Sequence, residues 1–178
     1  MCIRDSLSLV KFLIDKGADF KTKDGDGEAI LYRACRAGYI RIVKFLLEKD
    51  RTLLNKRVLN GNTVLHGACF GGKMNVVKYL ISLDKGLLHQ KGDGGISVLH
   101  SACGTGKINI AKYLISLNEN LLHEKTSNTA TVLHAAIASG VSEMVKYLII
   151  KGCDINDSND QGNTPLHLAC YCGYFDIV

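Results

Sequence analysis

The run VLHGAC occupies residues 64–69, VLHSAC occupies 98–103 and PLHLAC occupies 165–170. Each sets a histidine and a cysteine three positions apart, which on a helix places both on one face. An imidazole nitrogen beside a thiolate could ligate zinc, and a cysteine beside a histidine could act as an activated nucleophile. A structural zinc needs four ligands converging at about 2.0–2.3 Å. A disulfide between two runs needs Cα atoms within about 7 Å. Which chemistry is open to these side chains depends on the elements that carry them and on how far apart those elements lie.

The runs are parts of a longer period. Leu31, Leu65, Leu99, Leu133 and Leu166 follow one another at steps of 34, 34, 34 and 33 residues. Seven positions after each comes a glycine: Gly38, Gly72, Gly106, Gly140 and Gly173. An apolar pair follows (Ile42–Val43, Val76–Val77, Ile110–Ala111, Met144–Val145, Ile177–Val178), and then KFLL or KYLI in the first four copies. The stretch VKFLI at 10–14 reads as the second half of an earlier copy. Such a period belongs to architectures built by stacking one small unit on the next.

Each unit reads as two short helices. Thr63, Ser97, Thr131 and Thr164 stand where a hydroxyl can cap the first helix. Pro165 falls at a first helical position, where its missing N–H costs nothing. The recurring glycine closes that helix, because a left-handed residue is cheapest without a Cβ. The second helix sets its apolar pair, an aromatic and two aliphatics on one face. Between units, GADFKTKDGDGEA and GCDINDSNDQGNT are rich in Gly, Asp and Asn, which favours tight turns. Isolated helices below roughly 12 residues are marginal in water. Each unit must therefore bury its apolar face against its neighbours.

With this period and the run NTPLHLACYCGYFDIV, the chain resembles the ankyrin repeat family, whose signature is Thr-Pro-Leu-His-x-Ala. NTVLHGACFGGKMNVV, ISVLHSACGTGKINIA and ATVLHAAIASGVSEMV match except at proline, whereas EAILYRACRAGYIRIV carries Ala29 at the cap and Tyr32 for histidine. The resemblance covers residues 7–178 and implies an all-α fold, an α-solenoid of stacked helix-turn-helix repeats with β-turn tips. Its expected units are a partial repeat at 7–23, repeats at about 24–57, 58–91, 92–125 and 126–158, and a truncated one at 159–178. The stretches LDKGLLHQK and LNENLLHEK carry an extra residue, expected to lengthen the inter-repeat loop. The opening MCIRD resembles a translated sequencing adapter, so residues 1–6 are read as a non-native leader. The stop inside the apolar pattern YFDIV suggests a chain cut from a longer one.

The resemblance also bears on the metal question. His66, His100, His134 and His167 hold the signature position, where in the family the imidazole bonds the Thr hydroxyl and the loop backbone, joining one repeat to the next. Cys35, Cys69, Cys103 and Cys170 hold a small buried slot that Ala136 fills in another copy, so the slot requires volume and not sulfur. One His and one Cys per repeat, on helices about 8–10 Å apart, cannot converge on one ion. No metal and no cofactor are expected. His89 and His123 are expected in loops, and Cys153 and Cys172 as exposed thiols. Cysteines without framework spacing point to the cytoplasm, with the nucleus as the alternative compartment. GDGG at 92–95 reads as an inter-repeat turn and not a phosphate loop. Since no Ser/His/Asp or Cys/His set falls outside repeat positions, neither catalysis nor a small-molecule substrate is expected. No apolar run approaches the roughly 18 residues of a membrane-crossing helix.

Lys11, Lys44, Lys78, Lys112 and Lys146 share one position on the second helix and should form a ladder on the convex face. With Glu48 and Glu143 on the same helices and no aromatics interleaved as a stacking platform, the ladder reads as a solvated face and not a nucleic-acid track. By resemblance, the function is a non-catalytic scaffold that binds a protein or peptide on its concave face. The alternative is a regulatory or targeting segment of a larger enzyme or channel. The expected binding positions at the turn tips are Asp26, Glu28, Asn60, Asn62, Asp93, Ile96, Asn128, Gln161 and Asn163. The exposed end of the first helix adds Arg36, Phe70, Thr105, Ser139 and Tyr171, with Phe70 near the centre of the strip.

Overall fold

The computed structural model of the protein describes residues 6–25 and 28–174. The expectations for Asp26 and for the pair Ile177–Val178 lie outside the described residues. A lone helix, α1 (Ser6–Asp15), precedes four helix pairs: α2 (Ile30–Ala37) with α3 (Ile40–Lys49), α4 (Val64–Phe70) with α5 (Met74–Leu83), α6 (Val98–Cys103) with α7 (Ile108–Leu117), and α8 (Val132–Ala138) with α9 (Ser142–Ile150). A first helix of the same type, α10 (Pro165–Cys172), follows. Packing runs between neighbours: α2, α4, α6, α8 and α10 form one layer, and α1, α3, α5 and α7 form the other. This is the α-solenoid expected from the period, with α1 as the second half of a unit. Among the described residues, β-structure is confined to the isolated bridges Lys23–Ala29 and Lys125–Thr131.

The local reasons for these helices are the ones legible in the sequence. Thr63, Ser97, Thr131 and Thr164 are the N-caps of α4, α6, α8 and α10, and Pro165 stands in the first turn of α10. Gly38 and Gly173 close α2 and α10 in the left-handed conformation. In α4, α6 and α8 the helix ends one or two residues earlier, and Gly72, Gly106 and Gly140 then take φ of 69, 65 and 70°.

One core runs through the stack. Leu65, Leu99 and Leu133 of the first helices are fully buried, as are Leu46, Leu80, Leu114 and Leu148 of the second. Each such side chain is worth about 1.5–3 kcal/mol when removed from water. Ion pairs also cross between units, Lys21 to Asp50 at 2.8 Å and Lys125 to Asp157 at 2.7 Å. Exposed pairs contribute about 0–1 kcal/mol, so apolar stacking carries the stability. Cys35, Cys69 and Cys103 fill the small buried slot beside Ala136. One expectation fails in the last unit: Cys170 is exposed, as is Leu166 at 55%, and among the described residues α10 packs only on the α8 side.

The lengthened connections are not open loops. Arg51–Asn55, Lys85–His89 and Glu119–His123 are single 3₁₀ turns, capped by the side chains of Asp50, Asp84 and Asn118. Each lowers two leucines into the core: Leu53 and Leu54, Leu87 and Leu88, Leu121 and Leu122. The extra residue adds buried area instead of slack. His89 and His123 are the last residues of two of these turns.

Every tip is closed by the same backbone bond. The amides of Asp24, Val58, Gly92, Thr126 and Asn159 donate to the carbonyls of Glu28, Asn62, Ile96, Ala130 and Asn163 at 2.8–3.1 Å. Successive tips are then tied by single backbone bonds, Asp93 N–H to Asn60 O at 3.0 Å, Ser127 to Gly94 at 2.7 Å and Asp160 to Asn128 at 3.1 Å. The fourth turn residue is left-handed, with φ of 66, 72 and 76° at Gly61, Gly95 and Gly162. Thr129 takes this place in its unit with φ of 57°, a conformation that a β-branched residue adopts at a cost of about 1–2 kcal/mol. Thr129→Gly should therefore raise the unfolding free energy read from urea titration, by up to about 1 kcal/mol after the added freedom of the unfolded chain is subtracted. A loss of more than about 1 kcal/mol would show that its side chain is needed there.

Candidate protein-binding groove

Three of the four signature histidines sit where cap, first helix and next tip meet. In His66, His100 and His134 the ring Nδ1 lies 2.8 Å from the hydroxyl of Thr63, Ser97 and Thr131. It also accepts from the backbone amides of those residues at 3.2, 3.4 and 3.2 Å. The ring Nε2 reaches across to the tip of the next unit, to the carbonyls of Ile96 at 3.0 Å, Ala130 at 3.2 Å and Asn163 at 2.9 Å. A carbonyl can only accept and an amide can only donate. The ring that satisfies both sides is the neutral tautomer with its proton on Nε2. Burial enforces the same state, holding the His66 and His100 pKa down to about 4. With both nitrogens engaged, these imidazoles have no lone pair left for a metal. His167 keeps the bond to Thr164 at 2.8 Å. In the first full unit Tyr32 takes the histidine position and is buried, with its hydroxyl beside the Asn62 side chain. Its ring occupies the space over Gly67, where any Cβ would collide with it.

The lock matters for the surface because the residues it holds form a groove. A hollow of about 800 Å³ runs along the first-helix layer from Phe70 to Leu168. Six of the sequence-predicted positions line it: Asn60, Asn62, Phe70, Ile96, Thr105 and Asn128. Ile96 shows the coupling most directly. Its carbonyl is held by His66, while its side chain stays 38% exposed in the groove wall. Phe70 is 43% exposed and carries the Arg36 guanidinium over its ring at 4.9 Å. Arg36 and Glu28 line a neighbouring hollow and are paired at 3.3 Å.

The remaining positions fall elsewhere. Asp93, Ser139, Gln161, Asn163 and Tyr171 do not line the groove. Asn163 is occupied in structure: its carbonyl accepts from His134 and its amide bonds the Asn159 side chain at 3.0 Å. Tyr171 projects from the end of α10, 91% exposed. Thr105 and Ser139 are one residue out of register with Phe70. Both are half-buried, and their hydroxyls bond back to helix carbonyls, Ser101 at 2.8 Å and Ala136 at 2.6 Å. The true equivalents of Phe70 are Gly104 and Ala138, which the sequence reading passed over. Together with Ser101 and Ala135 they form the floor. The signal was available: two successive units place small residues where their neighbours carry Phe70 and Tyr171, and a gap in side-chain volume along a row is a groove.

The convex face also differs from expectation. Lys11, Lys44, Lys78 and Lys112 each hold the ammonium over an aromatic ring of the next unit, Phe45 at 5.3 Å, Tyr79 at 5.2 Å, Tyr113 at 5.5 Å and Tyr147 at 5.3 Å. Aromatics do interleave with the ladder, as inter-repeat cation–π contacts worth about 0.5–1 kcal/mol each at exposed sites. The rings are half-buried, so they serve the stack. Cys153 is likewise half-buried where an exposed thiol was expected, its pKa pushed up to about 11 by burial, whereas Cys172 is exposed. Among the described residues no set of three His, Cys, Asp or Glu could hold a metal ion. Nor is any described helix long and apolar enough to cross a membrane.

Units locked tip to tip, with an open groove across one layer, define a solenoid repeat scaffold. The sequence profile of ankyrin repeats (3 copies) matches residues 1–87, 48–125, 83–159 and 99–178. The chain belongs to the ankyrin repeat family, whose repeats generally mediate protein–protein interaction and are typically non-catalytic. Comparison with curated proteins gave no match.

The buried histidines give a signed pH dependence. An unfolded imidazole titrates near 6.5 and these two near 4, so between those values the unfolded chain binds more protons. Their contribution is complete above about pH 6.5 and is lost as pH falls toward 4, on the order of 3 kcal/mol for each ring. Urea midpoints measured from pH 7 to 5.5, above the range of ordinary carboxylates, should fall steadily. A flat profile would mean that the rings accept a proton in place.

Proposed function

We propose that the chain is a non-catalytic binding module that takes a protein or peptide segment into the groove of its first-helix layer. The observation that carries this reading is the hollow between Phe70 and Leu168, whose wall at Ile96 is fixed by the His66 bond. An aromatic left nearly half exposed beside a pre-formed apolar hollow is the kind of anchor that dominates binding energy. Phe70 is also held by Arg36, so little side-chain freedom is lost when a partner covers it. The convex ladder is the less favoured surface for a partner or a nucleic acid, because its ammonium groups already lie on the rings of the next unit. The reading places the chain in a reducing compartment, the cytoplasm or the nucleus. It is supported there by the packing of Cys35, Cys69 and Cys103 as thiols in a slot that alanine also fills.

Affinity capture from a cell extract, quantified side by side for the parent chain, Phe70→Ala and Lys78→Ala, tests the assignment of face. The Phe70 change should weaken the specifically captured partner by more than about 1 kcal/mol, roughly fivefold or more in Kd. The Lys78 change should leave it nearly unaltered. The opposite pattern would move the binding surface to the convex side.

A further inference from the structure

Accepting that groove as the docking surface, we infer that its occupant is an extended segment of about eight residues whose central part carries no charge. Charged residues make up 22% of the chain, yet no Asp, Glu, Lys or Arg lines the groove. The floor is small and neutral, from Ser101, Gly104, Ala135 and Ala138, and the walls are Phe70, Ile96 and Leu168. The two histidines that reach it have their ring nitrogens bonded to Ser97 and Ala130 and to Thr131 and Asn163. A charged side chain entering this hollow would lose its water and meet no counter-charge, a cost of several kcal/mol in the general case. Of the cations around it, Arg36 stands at one end and is already paired with Glu28, and Arg57 is already bonded to the carbonyls of Gly61 and Lys91 at 2.6 Å. Neutral rim groups at Asn60, Ser127 and Asn128 can instead bond the backbone of an extended chain.

The length follows from the stack. The groove spans four first helices, α4, α6, α8 and α10, hence three intervals of about 8–10 Å. At about 3.3 Å per extended residue this accommodates roughly eight. The inference is discriminating because net charge argues the other way. A chain of formal charge +5 would attract acidic segments through its long-range field, whereas the groove selects uncharged ones.

A phage-displayed library of random peptides, about twelve residues long, panned on the full 178-residue chain decides between them. Enriched peptides should share an uncharged run with apolar residues. Their Kd should stay within about twofold between low and high salt, since no ion pair is formed. Ala138 is exposed on the floor, so its variants can be compared without disturbing the core. Ala138→Glu and Ala138→Lys should each bind the peptides at least about tenfold more weakly than Ala138→Gln, which matches them in bulk. Enrichment of acidic peptides with steep salt dependence, tighter binding by Ala138→Lys, or no enrichment at all would overturn the inference. Acidic peptides that still depend on Phe70 would defeat neutrality alone. Peptides indifferent to Phe70→Ala and to every Ala138 variant would defeat the groove as the binding surface.

Discussion

A neutral imidazole that accepts on one nitrogen and donates from the other is the joint on which this stack depends. At His66, His100 and His134 the accepting side holds the cap of its own helix, and the donating side holds the tip of the next unit. Without it, successive tips would be joined by one backbone bond, such as Asp93 to Asn60, and by exposed side-chain contacts such as Arg57 to the Lys91 carbonyl. The same interaction makes each ring a structural commitment to the uncharged state. Tyr32 shows what replacing it demands: a larger ring in the same place requires Gly67 on the adjoining helix to have no side chain.

Stability and register come from different sources. Leucines removed from water supply most of the energy, and their contacts are non-directional. Helices faced with leucine, valine and alanine could settle at slightly shifted positions with little loss of buried area. The histidine bonds, the tip-to-tip bonds and the lysine–aromatic contacts are individually modest but directional, and each recurs once per unit. They set where the tips stand, and thereby where Ile96 and Ala130 present themselves in the groove. Function in this scaffold rests on the directional set, acting on a frame that the apolar set stabilises.

Local features were legible in the sequence because their causes are local. The Thr/Ser caps, Pro165 and the left-handed glycines each follow from residues within one unit, and the period follows from their recurrence. What escaped depends on comparison between units. Phe70 was recognisable as an exposed aromatic, but the groove exists because Gly104 and Ala138 stand at its register further along the stack. Thr105 and Ser139 stand one residue beyond that register, and their hydroxyls turn inward to close helices, although Thr105 still lines the groove. The lysine ladder was visible as a row, yet its meaning required knowing that each lysine leans over the ring of the following unit. The 3₁₀ turns were hidden for another reason. Pairs of leucines in a short polar stretch look like loop residues until the capping Asp50, Asp84 and Asn118 fold that stretch inward.

The protonation state of the lock can be read directly. Long-range proton–nitrogen NMR on the ¹⁵N-labelled chain at neutral pH distinguishes a bare ring nitrogen from a protonated one. His66, His100 and His134 should each appear as the tautomer protonated on Nε2, with that proton exchanging slowly with water, while the exposed His89 and His123 average rapidly. If the three buried rings instead showed the proton on Nδ1, or averaged like the exposed pair, the imidazole would not be bridging successive units and the account of how the groove is held would be wrong.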